Sequence, residues 1–305
     1  MATPTDVTNR QDFVLLFDVT DGNPNGDPDA GNLPRVDPET MQGLVTDVAI
    51  KRKVRDFVDL ARGDEGRFKI YIQAGGPALN TIHERAYTSL GLKSTGTKQA
   101  KGDVDHARQW MCENFYDIRT FGAVMTTGVN CGQVRGPVQV TFARSIDRIL
   151  PFDLSITRVA VTRAEDAAVV TADDGTTGGK QTEMGRKAIV PYGLYRAHGF
   201  FNPHFAAATG VTGEDLALFW QALELMWDQD HSAARGEMRC RGLYVFSHDS
   251  SLGNAASHRL FDLIATPPST VEAPRKFADY TVAAPPAGPL DALGFPGVTL
   301  TRLVG

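Results

Sequence analysis

Residues 18–43 have the sequence DVTDGNPNGDPDAGNLPRVDPETMQG, which joins an apolar run at 13–17 to a basic segment with helical spacing. Glycine, proline, asparagine and aspartate recur throughout it, and these residues favour turns over helices and ladders. A compact domain seldom keeps so long a connection without regular structure unless the connection has a function or is disordered. We therefore expect an ordered loop, called here the long loop, that has a role of its own.

Apolar patterns on both sides of the long loop predict strands and two helices. The segments with strand-like patterns are 13–19, 67–73, 137–144, 191–201 and 241–247. The spacing of Ile50, Val54, Phe57 and Ala61 predicts a helix over 45–61, with Thr46 as its N-cap.

A second helix is predicted over 213–228, where Thr212 and Asp215 have the spacing of a capping box. One of its faces is apolar and aromatic. The residues on that face are Leu216, Phe219, Trp220, Leu223, Met226 and Trp227. Such a stripe is typical of a helix packed on a core, and we assign it no ligand.

The order of these elements predicts an α+β fold with a ferredoxin-like or RRM-like palm. The ranges assigned to a single domain are a core at about 11–74, 134–149 and 191–262, a helical insertion at 75–133, a projecting hairpin at 150–190 and an extended C-terminal segment at 263–305. The hairpin would have its tip at ADDGTTGGK, 172–180, and the C-terminal segment is rich in proline.

The charge of the chain is concentrated in the long loop. Net charge is −5, and the segment 18–39 alone has six acids and one arginine. The remainder is balanced, so a local basic groove is compatible with the composition. The chain has no apolar run long enough to span a bilayer, its N-terminus has no apolar signal core, and its three cysteines lie far apart. We expect a cytoplasmic protein with no membrane partner.

Two groups of cations are candidates for contacts with a phosphate backbone. Lys51, Arg52 and Arg55 fall on one side of the first helix, away from its apolar stripe. The other group stands next to glycine or at strand ends, where charge and backbone N–H groups reach a ligand together; it comprises Arg135, Arg144, Arg186 and Lys187. Lys and Arg neutralise phosphates without reading bases. The alternative for both groups is an ordinary solvated surface.

Other motifs favour no cofactor and no catalytic residue. Asp21, Asn23, Asn25 and Gly26 imitate the start of a calcium loop, but the twelfth position is Asn32 and not the required Glu. Near matches to a phosphate-binding loop at 91–98 and 175–180 have the wrong spacing. The strand RGLYVF, 241–246, faintly resembles an RNA-recognition strand, and core packing explains its aromatics equally well.

Several strings resemble the backbone subunit of the type I-C CRISPR surveillance complex, Cascade, in the Cas-seven family of the RAMP superfamily. The long loop carries the start of this resemblance. The strings that continue it in order are LVTDVAIKRKVRDFV at 44–58, DIRTFGAVM at 117–125, VRGPVQVTFARSID at 134–147 and MGRKAIVPYGLYRAHGFFNPH at 184–204. Met41 is bulkier than the small residue expected there, and segment 163–180 carries no matching string.

The resemblance implies a non-catalytic scaffold that coats guide RNA (crRNA). Copies of the chain would line up head to tail on the guide, hold its phosphates and leave its bases free to pair with target DNA. The hairpin would be a thumb, with Met184 either a wedge between bases or a core residue. In the long loop, Asn23, Asn25, Asp27 and Asn32 would contact the neighbouring copy. The alternative role for this acidic loop is the exclusion of nonproductive RNA, and both stay open.

The implied partners are the other Cascade subunits, namely the large subunit, the small subunit and the Cas-five-type crRNA-processing subunit. Two alternatives stay open. One is a metal-dependent RNase of the type III backbone kind that uses Asp27 or Asp37 of the long loop. The other is an RNA chaperone that binds RNA without a guide.

Overall fold

The computed structural model describes residues 2–163, 165, 170–171, 177–178 and 182–305. The strands are β1 Gln11–Gly22, β2 Gly26–Asp27, β3 Leu33–Pro34, β4 Gln42–Val45, β5 Gly122–Met125, β6 Gly132–Arg135, β7 Val138–Val140, β8 Ala143–Arg148, β9 Phe152–Arg158, β10 Val170–Thr171, β11 Thr177–Gly178, β12 Glu183–Phe201, β13 Glu237–His248, β14 Gly288–Pro289 and β15 Val298–Val304. The helices are α1 Asp47–Arg62, α2 Leu79–Ser89, α3 Lys101–Asn114, α4 Tyr116–Phe121, α5 Pro203–Thr209, α6 Gly213–Gln229 and α7 Ser257–Phe261.

The main sheet has the first strand of the chain near its centre. Its order is β14, β15, β13, β1, β12, β8 and β4, and these neighbours are antiparallel. Helix α1 follows β1, and α6 connects β12 to β13, so the central strands form the split βαβ arrangement. This confirms the predicted α+β fold with a ferredoxin-like core.

One face of the sheet packs on helices α1 and α6. Phe13, Leu15, Phe17 and Val19 of β1 alternate onto this face and are fully buried. The predicted aromatic stripe of α6 meets them, with the Trp227 ring centroid 4.7 Å from that of Phe17. The stripe is therefore core, as predicted. Both predicted helix N-caps are confirmed, since the side chain of Thr46 accepts from Ala49 N and Thr212 forms a capping box with Asp215.

The opposite face of the sheet is covered by the segment after β13. Val14 and Leu16 of β1 point to this face, with Tyr244 and Phe246 of β13 beside them. Residues 257–297, called here the C-terminal cover, contribute Leu260, Phe261, Ile264, Leu290 and Phe295, all buried. Both faces of the sheet are thus closed by the chain itself, and this leaves its edges and projections exposed.

The predicted strand at 67–73 is wrong. Only Lys69 forms a bridge, to Phe115, and the segment is otherwise irregular although Phe68, Ile70 and Tyr71 are buried. Two backbone N–H groups of this segment donate to a side chain instead of a neighbouring strand. Asp117 accepts from Tyr71 N at 2.8 Å and from Ile72 N at 3.1 Å.

Three other predictions differ in detail from the structure. The strand predicted at 137–144 is divided between β7 and β8, with a break at 141–142. Ala61 is exposed, and α1 buries Val58 instead. In the C-terminal segment, 298–304 is a strand that extends the main sheet beside β13, which its proline content did not predict.

A ribbon of two strands leaves the sheet at the far end of β12. Residues 152–158 pair antiparallel with 183–189, and every residue of β9 is exposed. The predicted hairpin tip at 172–180 lies largely outside the described residues. The predicted insertion contains α2, α3 and α4, which enclose a separate apolar cluster with Tyr87, Met111 and Ile118 at its centre.

Candidate nucleic-acid interface

Helix α1 presents its three candidate cations in three different environments. Lys51 is 13% exposed and pairs with Asp47 at 2.9 Å. Arg52 is 60% exposed and lies 3.6 Å from Asp56. Arg55 is 11% exposed and pairs with Asp117 at 2.7 Å. Only Arg52 is open to solvent, so the three side chains do not form one open basic face.

Arg55 and Asp117 form a buried centre that joins α1 to the insertion. The Asp117 carboxylate is almost fully buried and also accepts the two backbone N–H groups of 71–72. A charge in this position needs its partner, because removing either leaves a buried charge unpaired. Arg55 therefore has a structural role that a helical charge pattern does not reveal. Asp117 begins one of the strings that carry the family resemblance.

The long loop is ordered by hydrogen bonds between its side chains and backbone groups. Asn25 Oδ1 accepts from Thr46 N at 2.9 Å and links the loop to the start of α1. Asn23 Nδ2 donates to Asn32 O at 2.7 Å, and Asn32 adopts a left-handed φ of 64°. Asp27 caps a short 3-10 turn and lies 3.4 Å from Arg35. Asn23 is buried, whereas Asn32 is exposed.

Asp37 and Arg144 connect the long loop to β8. The Asp37 carboxylate accepts from Arg144 Nη1 at 2.8 Å and from the backbone of Glu39 and Thr40. The hydrogen bond from Arg144 lowers the pKa of Asp37, with the two backbone hydrogen bonds adding to the effect. Asp27 and Asp37, the two aspartates of the RNase alternative, both have partners within the protein.

Met41, which departs from the family resemblance, occupies a strained turn. Its φ is 58°, in the left-handed region where a side chain is disfavoured, and its carbonyl accepts from Ile149 N at 2.8 Å. Among small residues, glycine alone would relieve this strain, because it has no Cβ.

On the ribbon, Arg186 and Lys187 point to opposite faces because successive strand residues alternate. Met184 lies two residues before Arg186, so the two side chains point to the same face of the ribbon. Met184 is 75% exposed. Arg186 is 81% exposed and lies 3.1 Å from Asp153. The exposure of Met184 excludes core packing in the isolated chain, and its role as a wedge stays a prediction.

A cleft of about 370 Å³ lies between the ribbon and the long loop. Its lining combines residues predicted for two separate roles: Asn23 and Asn32 of the loop, and Arg186 and Lys187 of the ribbon. Asp153 lines it as well. The fold therefore brings together two sequence segments that lie more than a hundred residues apart.

Arg135 lies apart from this cleft. It is exposed at the end of β6, and its guanidinium stacks over the Phe205 ring, 4.3 Å from the centroid. A second cleft, of about 600 Å³, separates α3 from α5 beside this pair. Cation–π stacking holds the guanidinium flat while its N–H donors stay available at the edge.

The aromatic strand 241–246 is not available to nucleic acid. Tyr244 is 2% exposed and Phe246 is fully buried under the C-terminal cover. The core interpretation of this strand is therefore confirmed. Among the described residues there is no group of three or more His, Cys, Asp or Glu side chains placed to hold a metal ion, and no described helix has the length and apolarity needed to cross a membrane.

Sequence comparison places nearly the whole chain within one family. A family profile described as "CRISPR-associated protein Cas7" matches residues 9–284. The chain is also similar to the CRISPR-associated protein Cas7 of Haloferax volcanii, with 26% identity over 237 residues that cover 71% of this chain and 64% of that relative. It thus spans less than two thirds of the curated relative that it matches.

Two solved structures are similar in outline. A chain of "CRISPR RNA-guided surveillance complex, pre-nicking" has a TM-score of 0.47 and 14% identity, with 78% of each chain covered. A chain of the Type III-B Cmr-beta complex bound to cognate target RNA has a TM-score of 0.39 and 10% identity, covering 78% of this chain and 61% of the other. Neither TM-score is high enough to support an argument about function.

Proposed function

The chain belongs to the Cas7 family, and we propose on this premise that it is the backbone subunit of a type I-C CRISPR surveillance complex. The observation that carries the proposal is the family match over residues 9–284, which includes the long loop, the ribbon and most of the C-terminal cover. Copies would assemble head to tail along crRNA, in an open array that a heterologous contact produces.

The distribution of exposed cations supports binding to phosphates without reading of bases. Arg144 lies on β8, where it pairs with Asp37 of the long loop, and the exposed Arg186 lies on the ribbon beside the partly buried Lys187. Both faces of the main sheet are closed, so the described strands of this sheet offer no aromatic platform to stack bases in the manner of RRM domains. Bases would then remain free, and pairing with target DNA would supply the sequence specificity.

We assign the chain no catalytic residue and no cofactor. Asp27 and Asp37 each cap a turn of the long loop, and they pair with Arg35 of the loop and Arg144 of β8 respectively, which favours a structural role for them. The large subunit, the small subunit and the Cas-five-type subunit are the further partners in this proposal, and the cytoplasm is the proposed location.

Electron microscopy of the protein purified at low salt, with any nucleic acid it retains, tests this function. We expect helical arrays that contain RNA of uniform, repeat-derived length. A monomer without nucleotide that ignores added crRNA would contradict the proposal, and RNA of random length would favour the chaperone. Magnesium-dependent cleavage of complementary RNA, lost in Asp27→Ala or Asp37→Ala, would favour the RNase.

A further inference from the structure

Five of the eight residues predicted to bind RNA already form ion pairs inside the protein. The pairs are Lys51–Asp47, Arg52–Asp56, Arg55–Asp117, Arg144–Asp37 and Arg186–Asp153. A carboxylate oxygen resembles a phosphate oxygen in charge and in hydrogen-bond geometry. In each pair the carboxylate therefore occupies a position that RNA would have to use.

The pairs divide into two kinds by exposure. Arg55 is 11% exposed and its partner 1%, so this pair holds the fold and RNA cannot exchange with it. Arg144 and Arg186 are 53% and 81% exposed. Exposed pairs of this kind contribute little to stability, and a phosphate can displace the carboxylate without disturbing the core.

Three of the pairs are exposed. In two of them one partner belongs to a projection from the sheet, the long loop or the ribbon, whereas the third, Arg52–Asp56, lies on α1. Asp37 reaches from the long loop to Arg144 on β8, at 2.8 Å. Asp153 reaches across the ribbon to Arg186, at 3.1 Å, beside the cleft that Lys187 also lines. Neither carboxylate is required to satisfy a buried cation, since both arginines are largely in solvent.

From this geometry we infer that Asp37 and Asp153 are built-in counter-ions that compete with RNA phosphates for Arg144 and Arg186. Each weakens the binding of a single copy to RNA, because it cancels part of the cation's charge and repels an arriving phosphate. A copy in an array shares its RNA with neighbours and tolerates this loss. An isolated copy on unrelated RNA has no such neighbours, so it does not tolerate this loss of affinity. The inference rests on the proposed function and explains how an acidic protein would avoid coating cellular RNA.

The test compares single variants Asp37→Asn and Asp153→Asn in binding to a short oligouridine. Asparagine keeps the size of the side chain and one acceptor oxygen, so the turn at Glu39 and Thr40 retains its acceptor. We expect each variant to bind about two- to fivefold more tightly at about 0.1 M salt, as the strength of an exposed pair indicates. The slope of log affinity against log salt should steepen by up to about 0.7 in each.

Glu65→Gln is the matched control. Glu65 also pairs with an arginine, Arg62, and is half exposed, but it follows the end of α1, and α1 carries it about 24 Å from the helix start beside the long loop. At about 0.1 M salt the Debye length is about 10 Å, so the control removes the same charge at a distance beyond its range. Its affinity should stay at the wild-type value.

The other possible outcomes contradict either this inference or the proposed function. Unchanged or weaker binding by both asparagine variants, with the wild type still binding, overturns the inference and leaves the proposed function standing. An equal gain in Glu65→Gln overturns it as well, since net charge would then suffice. A wild-type chain that binds no RNA contradicts the proposed function itself. If Asp37→Asn fails to fold, Asp153→Asn alone carries the test, because it lies on the exposed ribbon.

Discussion

At the scale of residues, His198 and Arg196 attach the C-terminal cover to β12. The His198 ring stacks on Phe261, with centroids 4.3 Å apart and planes within 3°. Arg196 Nε donates to His198 Nε2 at 2.9 Å, and its two Nη atoms donate to the carbonyls of Phe261 and Ile264 at 2.6 Å. Burial lowers the pKa of His198 to about 4, and the charge of Arg196 adds to the effect.

Acid should therefore destabilise the protein through His198. Its folded-state pKa lies below the unfolded value of about 6.5, so the unfolded chain takes up the proton first. The free energy of unfolding falls as pH drops from about 6.5 to about 4, by on the order of 3 kcal/mol from this group. Denaturant titrations at pH values between about 4 and about 6.5 measure this fall in the free energy of unfolding. His198→Gln, which keeps an acceptor for Arg196, should flatten the dependence; an unaltered slope in this variant would refute the assignment.

At the scale of elements, α1 shows how one helix divides its charges between structure and surface. Lys53 is buried against Asp230, and burial lowers its pKa. Arg55 holds Asp117, while Arg52 remains in solvent. The helical period predicts which side of α1 each residue occupies. It does not predict which residues of the insertion, 75–133, pack against that side.

Single substitutions on α1 should separate these roles. Arg55→Ala leaves Asp117 without its cation and should lower the free energy of unfolding by about 3 kcal/mol or more. Arg52→Ala should change stability by less than about 0.5 kcal/mol and reduce the salt slope of RNA binding by about 0.7. Thermal unfolding and oligouridine binding measure the two effects. Equal destabilisation by both variants would show that the distinction is wrong.

At the scale of the whole molecule, a sheet closed on both faces carries two exposed projections. The long loop and the ribbon lie on either side of the cleft that contains Arg186 and Lys187. Among the described residues, 152–158 of the ribbon pair with 183–189, and the exposed residues of the ribbon contribute little to the main core. Contacts with RNA or with a neighbouring copy are therefore expected at these projections.

Deletion of 163–180 should leave folding intact and alter the assembly. The deleted segment is polar and rich in glycine, and the paired part of the ribbon remains. Circular dichroism and thermal unfolding should match the wild type, whereas electron microscopy should show arrays with changed spacing. An array of normal spacing would remove the thumb assignment. Loss of folding would show that the segment supports the core.

Local patterns predicted the elements of the palm, because each depends on short-range chemistry. The apolar run of β1, the apolar stripe of α6 and the caps Thr46 and Thr212 are all read from neighbouring residues, and the structure confirms them. The prediction of a strand at 67–73 is wrong because of a tertiary contact. Its apolar residues are buried as predicted, but a distant carboxylate, Asp117, takes the hydrogen bonds that a neighbouring strand would have made.

The sequence by itself determined the split βαβ core and the basic and acidic segments, since period and composition are properties of neighbouring residues. Only the tertiary structure decided which cation meets which carboxylate. Arg144 and Asp37 are far apart in the chain, as are Arg55 and Asp117, and no local rule relates them. Charge acts through space over a few ångströms, so the availability of each arginine for RNA depends on the fold and not on its sequence neighbours.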